Sequence, residues 1–186
     1  MRIRRLSFVV CIVAGLAVAP SARPAAAQPG LVTAFTHVAT GLTLPYVVQG
    51  DPKGPAVVLL HGAGDSWHSW ELVLPQLPQT WRTYAVTLRG HGLSDHPAQG
   101  YGRADFAADA MPFLTQLHLR DVTLVGHSLG SFVAQVVAQN DSDRRISRLV
   151  LIGSGPGRAA DPNAPSALRD YSARVTDPID YHFARD

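Results

Sequence analysis

A glycine–x–serine–x–glycine turn between a strand and a helix constrains the fold of this chain more than any other feature. The apolar run Val122–Val125 predicts a buried strand, and the apolar spacing of residues 131–139 predicts a helix. Between them, Gly126 and Gly130 stand two residues before and after Ser128. Such a sharp reversal forces the serine into an unusual backbone conformation and leaves no space for flanking side chains. We therefore predict that Ser128 is presented at a helix N-terminus, where backbone N–H groups favour developing negative charge.

The first 27 residues have the composition of a secretory signal peptide. A basic start, Met1–Arg5, precedes the 14-residue apolar run 6–19, and Ala25–Ala27 supplies a small-residue cleavage site. Because this run is shorter than the roughly 18 residues that span a bilayer, we expect no stable membrane anchor after cleavage. We expect a periplasmic or secreted protein without disulfides, because Cys11, the one cysteine, lies in the leader.

The charge distribution argues against nucleic acid as a partner. Removing the leader, which holds four arginines and no acidic residue, changes the formal net charge from +2 to −2. No basic cluster with interleaved aromatic residues occurs in the remainder. Metal-ligand spacings such as H-E-x-x-H are also missing, and Trp67 stands where a dinucleotide fingerprint starting at Gly62 needs glycine. We expect no metal, no other cofactor, and a small-molecule substrate as the partner.

Alternating strand-like and helix-like segments predict an α/β fold with a doubly wound, mostly parallel sheet. The predicted strands are 36–40 and 44–48, which form a first β-pair with Gly41 near the turn, then 56–60, 82–88, 122–125 and the buried strand 148–152. Helical spacing predicts one helix that Ser66 caps and that reaches Leu77, and another from Asp105 to Leu117, where Pro112 introduces a kink. Loops after parallel strands meet at one sheet edge, which brings the loops after Leu60 and Leu88 to Ser128.

Other polar and aromatic residues near these motifs are interpreted as structural. Adjacent residues point apart at a sharp turn, so His127 is expected to be a buried, hydrogen-bonded histidine rather than a catalytic base. The remaining interpretations are loop-bracing roles for His61 and His91, core positions for Trp67 and Trp70, and a solvated helix face for Asp105 and Asp109.

Three ordered motifs together resemble the α/β-hydrolase superfamily, in particular its single-domain esterase, peptidase and haloperoxidase-like branch. They are LLHGAGDSW at 59–67, LRGHGLSD at 88–95 and GHSLG at 126–130, and the similarity covers about 36–155. The resemblance implies that Ser128 is the nucleophile of an acyl-enzyme and that the N–H groups of Leu129 and Ala63 form the oxyanion hole. Related dehalogenases and epoxide hydrolases carry Asp at the Ser128 position, so ester-like carbonyl substrates are expected instead.

The resemblance also implies a triad acid and a triad histidine after the serine, in that order. Family members place the acid after a sixth or seventh strand and the histidine after an eighth, whereas we count six strands. We therefore expect the triad acid and histidine to be missing from this chain; the weaker candidates within it are Asp161 for the acid and His182 for the base, which no strand precedes. We therefore expect a sheet that lacks its last strands, with a signal peptide at 1–27, a hydrolase core at 28–156 and the start of a cap at 157–186.

Two hypotheses of different classes follow. In the first, the chain is a serine hydrolase by architecture, either as a fragment of a longer enzyme or completed by another chain. In the second, it is a non-catalytic, truncated secreted protein that keeps the fold core without activity. In both cases the loss of two strands leaves the apolar residues Leu149–Ile152 at an open sheet edge, which is a predicted site of self-association.

Overall fold

The computed structural model describes residues 30–153, which form a six-stranded sheet with two α-helices. The strands are β1 (Val32–His37), β2 (Thr43–Gln49), β3 (Ala56–Leu60), β4 (Arg82–Val86), β5 (Val122–His127) and β6 (Ile146–Ile152). The helices are α1 (Arg103–Gln116) and α2 (Leu129–Gln139), and two 3-10 turns occupy Trp67–Trp70 and Leu74–Gln76. The predicted leader and the predicted cap lie outside the described residues.

The sheet is mostly parallel, which confirms the predicted α/β class. Its spatial order is β1-β2-β4-β3-β5-β6. The four strands β4, β3, β5 and β6 run parallel, and β2 pairs antiparallel both with β4 and with β1 at one edge. The predicted first β-pair is therefore present, but its first strand lies earlier than the predicted 36–40, because residues 38–42 form the turn. Since parallel strands place their carboxyl ends together, the loops after β3, β4 and β5 emerge at the same edge of the sheet.

The two faces of the sheet are covered by different kinds of structure. The larger core packs one face against both α-helices, and its most buried members include Leu60, Phe106, Phe113, Leu124 and Val133. A smaller core on the other face is covered by the 3-10 segment, where Trp70 and Leu74 are buried and Trp67 is partly buried. Within residues 30–153 neither helix combines the length and the apolar character that crossing a bilayer requires.

The segment that was predicted as one helix from Ser66 to Leu77 forms two 3-10 turns instead. Ser66 does cap the first turn, because its hydroxyl accepts a hydrogen bond from the His68 N–H at 3.3 Å. Pro75 then prevents an α-helix from continuing, since proline has no N–H to donate to the carbonyl four residues earlier. The residue itself lies within the second 3-10 turn, where a proline is tolerated in the first positions.

Strand β6 is present as predicted, but the expectation that it is buried was wrong. Residues Leu149 to Ile152 are 39–43% exposed. The reason is its position, because among the described residues β6 pairs with β5 on one side and with no strand on the other. The apolar open edge that was expected from a shortened sheet is therefore observed in this part of the chain.

Candidate active site

Ser128 lies in the turn between β5 and α2 with a strained backbone. Its φ is 50° and its ψ is −114°, in a region that residues with a side chain rarely adopt. A conformation of this kind costs on the order of 1–3 kcal/mol and persists only where the surrounding structure fixes it. The unusual serine conformation predicted from the motif is therefore observed.

The glycines on either side of Ser128 are required by contacts with backbone. A Cβ atom added to Gly126 would lie 2.3 Å from the carbonyl oxygen of Gly130, and one added to Gly130 would lie 2.3 Å from the carbonyl oxygen of Leu60. The Gly130 N–H also donates to the His61 carbonyl at 3.0 Å. The start of α2 is thus locked against the end of β3, and the predicted crowding is confirmed.

The loop after β3 contacts the Ser128 side chain. A Cβ atom added to Gly62 would lie 3.3 Å from the Ser128 Cβ, so only a glycine backbone fits there without displacement. The next residue, Ala63, is exposed, and its backbone N–H has no hydrogen-bond partner within residues 30–153. The Leu129 N–H and the Ser128 hydroxyl likewise have no hydrogen-bond partner within residues 30–153. A serine hydroxyl and two unused N–H donors thus come from elements that meet at this point.

Two buried histidines brace the loop after β3, as predicted. The Nδ1 atom of His61 lies 2.6 Å from the Gly62 carbonyl oxygen, and its Nε2 accepts the Leu88 N–H at 2.9 Å. Because a carbonyl oxygen can only accept, Nδ1 carries the proton and the ring is neutral. Burial lowers the pKa of His61 to about 4, and burial also lowers the pKa of His91, whose ring packs edge-on at 5.0 Å.

His127 is exposed, so the expectation of a buried, hydrogen-bonded histidine was wrong. Its ring lies between two glycines, with Nδ1 3.2 Å from a Cβ added to Gly62 and Cδ2 3.9 Å from a Cβ added to Gly153. His127 ends β5 at the carboxyl edge of the sheet, and these glycines have no side chains that could cover it. The imidazole is therefore part of the rim of the site.

Asp109 is buried, which corrects the interpretation of a solvated helix face. Its side chain is 1% exposed and pairs with Arg89, whose Nη2 donates to Oδ1 at 2.6 Å. The Thr40 hydroxyl donates to the same oxygen at 2.6 Å. The helical spacing could have predicted this burial, because Asp109 follows Phe106 by three residues and precedes Phe113 by four, on the apolar stripe of the helix.

The Arg89–Asp109 pair ties the loop after β4 to α1. The hydrogen bonds that Arg89 donates to the Asp109 carboxylate raise the pKa of Arg89, which stays a cation. The carbonyl of Arg89 lies 2.8 Å from the Nδ1 of His91, so the pair also supports His91 and, through the ring contact, His61. Asp105 is also partly buried, not solvated, and it accepts the Gly102 N–H at the start of α1 at 2.9 Å.

A triad partner of Ser128 is not found within residues 30–153, where no carboxylate or histidine hydrogen-bonds its hydroxyl. Asp161 and His182 lie outside the described residues, so their roles stay predictions. In the described part of the chain, no group of three His, Cys, Asp or Glu side chains is arranged to hold a metal ion. The site therefore consists of the serine, the two backbone donors and the bracing residues.

Comparison with known proteins adds a family match. Residues 55–183 match the family described as the alpha/beta hydrolase fold. The chain is 30% identical over 158 residues to epoxide hydrolase 3 of Xenopus tropicalis, an alignment that covers 80% of this chain and 41% of that protein. Across the five relatives named as epoxide hydrolases, this chain covers 28–44% of their length.

Solved structures show the same architecture. Wild-type Cfl2 of Burkholderia cenocepacia matches with a TM-score of 0.65 and 32% identity, over 73% of this chain and 46% of that one. The esterase RhEst1 of a Rhodococcus species matches with a TM-score of 0.61 and 33% identity, over 65% of this chain and 45% of that one. The similarity thus includes proteins named for two different reactions.

Proposed function

Because the chain belongs to the α/β-hydrolase family, we propose that it is a hydrolase of ester-like carbonyl substrates in which Ser128 forms an acyl-enzyme. The observation that carries this proposal is the strained turn, which holds the Ser128 hydroxyl without a partner in the described part of the chain. The unused N–H groups of Leu129 and Ala63 support it further, because they are placed on the two elements that meet at the serine.

In the proposed reaction the Ser128 Oγ adds to the carbonyl carbon while the carbonyl electron pair moves onto oxygen. The N–H groups of Leu129 and Ala63 hydrogen-bond this oxyanion, and loss of one such donor costs about 100- to 1,000-fold in rate. Collapse expels the alcohol, and water then cleaves the acyl-enzyme and releases the acid. A histidine takes up the serine proton and returns it to the leaving alcohol. We propose that this histidine is His182, with Asp161 as its partner, or a residue of a further segment or chain.

Epoxide hydrolysis is the second candidate reaction, since several relatives are named epoxide hydrolases. A carboxylate nucleophile opens an epoxide to an ester, whose carbonyl carbon water can then attack. Opening by the Ser128 hydroxyl would instead form an ether, which has no carbonyl carbon and would not be released. A serine at this position therefore favours carbonyl substrates over epoxides.

We also propose export to the periplasm or the medium, from the leader at 1–27. Expression of the full chain in a Gram-negative host, followed by N-terminal sequencing of the secreted or periplasmic protein, tests this. Cleavage after Ala27 gives a mature chain that begins at Gln28. A cytoplasmic product that retains Met1–Arg5 contradicts the proposal.

Turnover of p-nitrophenyl acetate and of styrene oxide distinguishes the two reactions. We expect the full chain to hydrolyse the ester and Ser128→Ala to lose at least about 1,000-fold of that rate, as serine hydrolases do when the nucleophile is removed. Ser142→Ala, at an exposed serine, is the matched control and keeps the rate. Turnover of styrene oxide but not of the ester would overturn the proposal, and so would ester turnover that survives Ser128→Ala.

A further inference from the structure

A cleft of about 400 Å³ lies at the end of the sheet opposite Ser128. It is formed by the turn before β3, the first residues of β4 and the turn between α1 and β5. The six residues of β5 separate this turn from Ser128, and at about 3.3 Å per residue they place the cleft roughly 20 Å from the serine. A ligand in the cleft therefore does not contact the hydrolase site.

The walls of the cleft carry an excess of positive charge. Lys53, Arg82 and Arg120 line it, and Asp121 is the one carboxylate among the lining residues. Neither of the salt bridges within residues 30–153 involves any of these four side chains. The cleft therefore carries three cationic side chains against one carboxylate, whereas the chain without its leader has a formal charge of −2.

Arg82 is held in a fixed position at one wall. Its Nη1 donates to the Gly50 carbonyl at 2.8 Å, and its guanidinium carbon lies 5.8 Å from the centre of the Tyr84 ring. A guanidinium that is already ordered loses less conformational entropy when it binds an anion. On the facing wall, the backbone N–H groups of Arg120 and Asp121 have no hydrogen-bond partner among the described residues.

The size of the cleft indicates the size of the ligand. Small-molecule sites enclose about 300–1,000 Å³, and this cleft falls within that range. Cationic side chains from two walls, together with unused N–H donors, suit a ligand that presents negative charge on more than one side. We propose that the cleft binds a small anionic molecule with at least two negative charges, a phosphate ester or a polycarboxylate.

Calorimetric titration of the full chain with pyrophosphate and, separately, with citrate tests this site. We expect the double variant Lys53→Gln/Arg120→Gln to bind the preferred anion at least about tenfold more weakly, since it removes two cationic side chains that can donate charge-assisted hydrogen bonds to the anion. Both side chains are exposed and make no described contact, so the fold does not depend on them. Arg148→Gln removes one charge from the exposed strand β6, as Arg120→Gln alone does from the cleft, and is expected to change the affinity less than twofold.

The two probes distinguish the sources of negative charge, because tighter binding of pyrophosphate identifies a phosphate ligand and tighter binding of citrate a polycarboxylate. Absence of binding by both probes overturns the proposal. A loss of affinity in Arg148→Gln as large as that in Arg120→Gln alone also overturns it, because it would indicate unspecific attraction. Ser128→Ala is expected to bind the anion unchanged, so the result is independent of the hydrolase activity.

Discussion

The two sides of the Ser128 turn are supported very differently. On the β3 side, the Gly130 N–H binds the carbonyl of the fully buried His61, whose ring makes two further hydrogen bonds. On the β6 side, the Ser128 N–H donates to the Ile152 carbonyl at 2.9 Å, in a strand whose residues Leu149 to Ile152 are 39–43% exposed. The described residues thus support the β3 side of the turn that holds Ser128, next to the proposed oxyanion donors, and leave the other side at a sheet edge.

The largest loss of unfolding free energy is expected when the buried Arg89–Asp109 ion pair, which supports the β3 side, is broken. Asp109→Ala leaves the Arg89 guanidinium buried without its partner, which costs about 3–5 kcal/mol of unfolding free energy. Urea denaturation followed by circular dichroism measures it. Asp51→Ala is the control, because this exposed carboxylate is in neither of the described salt bridges and accepts the Lys53 N–H at 2.9 Å, a hydrogen bond that is expected to contribute about 1 kcal/mol. If both variants lose the same unfolding free energy, the buried pair does not support the β3 side as proposed.

The next largest effect is expected at the contact between α2 and β3. Gly130→Ala places a Cβ 2.3 Å from the Leu60 carbonyl oxygen, and the backbone shift that follows is expected to cost about 3 kcal/mol. Gly102→Ala is the control, since its Cβ meets only a carboxylate oxygen of Asp105 at 3.1 Å. Thermal unfolding of both variants measures the difference. A Gly130→Ala protein as stable as Gly102→Ala would show that the turn is not crowded.

The free energy of unfolding is expected to depend on pH through His61, which lies on the β3 side. The pKa of His61 is about 4 in the folded protein and near its ordinary 6.5 in the unfolded chain, so the unfolded state binds more protons between these values. Stability therefore falls as the pH drops below 6.5, by about 2 kcal/mol between pH 7 and pH 5. Urea unfolding at both pH values measures the fall. It should shrink in His61→Gln and persist in His68→Gln, and a fall of the same size in His61→Gln refutes the assignment to His61.

The smallest effect on stability is expected on the β6 side. Val150→Lys adds a charge to a residue that is 42% exposed, so the unfolding free energy changes by less than about 1 kcal/mol. The same charge on a sheet edge opposes strand pairing between molecules, so the oligomeric fraction in sedimentation velocity decreases. Leu124→Lys, in the buried strand β5, is expected to unfold the protein. A sedimentation profile that Val150→Lys leaves unchanged contradicts self-association through this edge.

The sequence was informative where a local pattern determines the structure. The apolar run at 56–60 and the spacing around Ser128 predicted β3 and the turn, because burial and backbone crowding act over a few residues. The pair between Arg89 and Asp109 was missed because its members lie 20 residues apart and meet only in the folded chain.

The remaining differences also come from tertiary position. The exposure of His127 depends on the glycines that come to lie beside it, and the exposure of β6 depends on its place at the end of the sheet. A strand such as 148–152 has the same apolar pattern whether it is central or at an edge, so the pattern predicts the strand and not its burial.

Labelling of the full chain with a fluorophosphonate, which phosphonylates activated serines with loss of fluoride, tests most directly whether Ser128 is a nucleophile. We expect a phosphonate adduct on the peptide that contains Ser128, identified by mass spectrometry, and no adduct in Ser128→Ala. A folded protein that never labels at Ser128 would contradict the proposed nucleophile and favour a non-catalytic protein that retains the hydrolase fold.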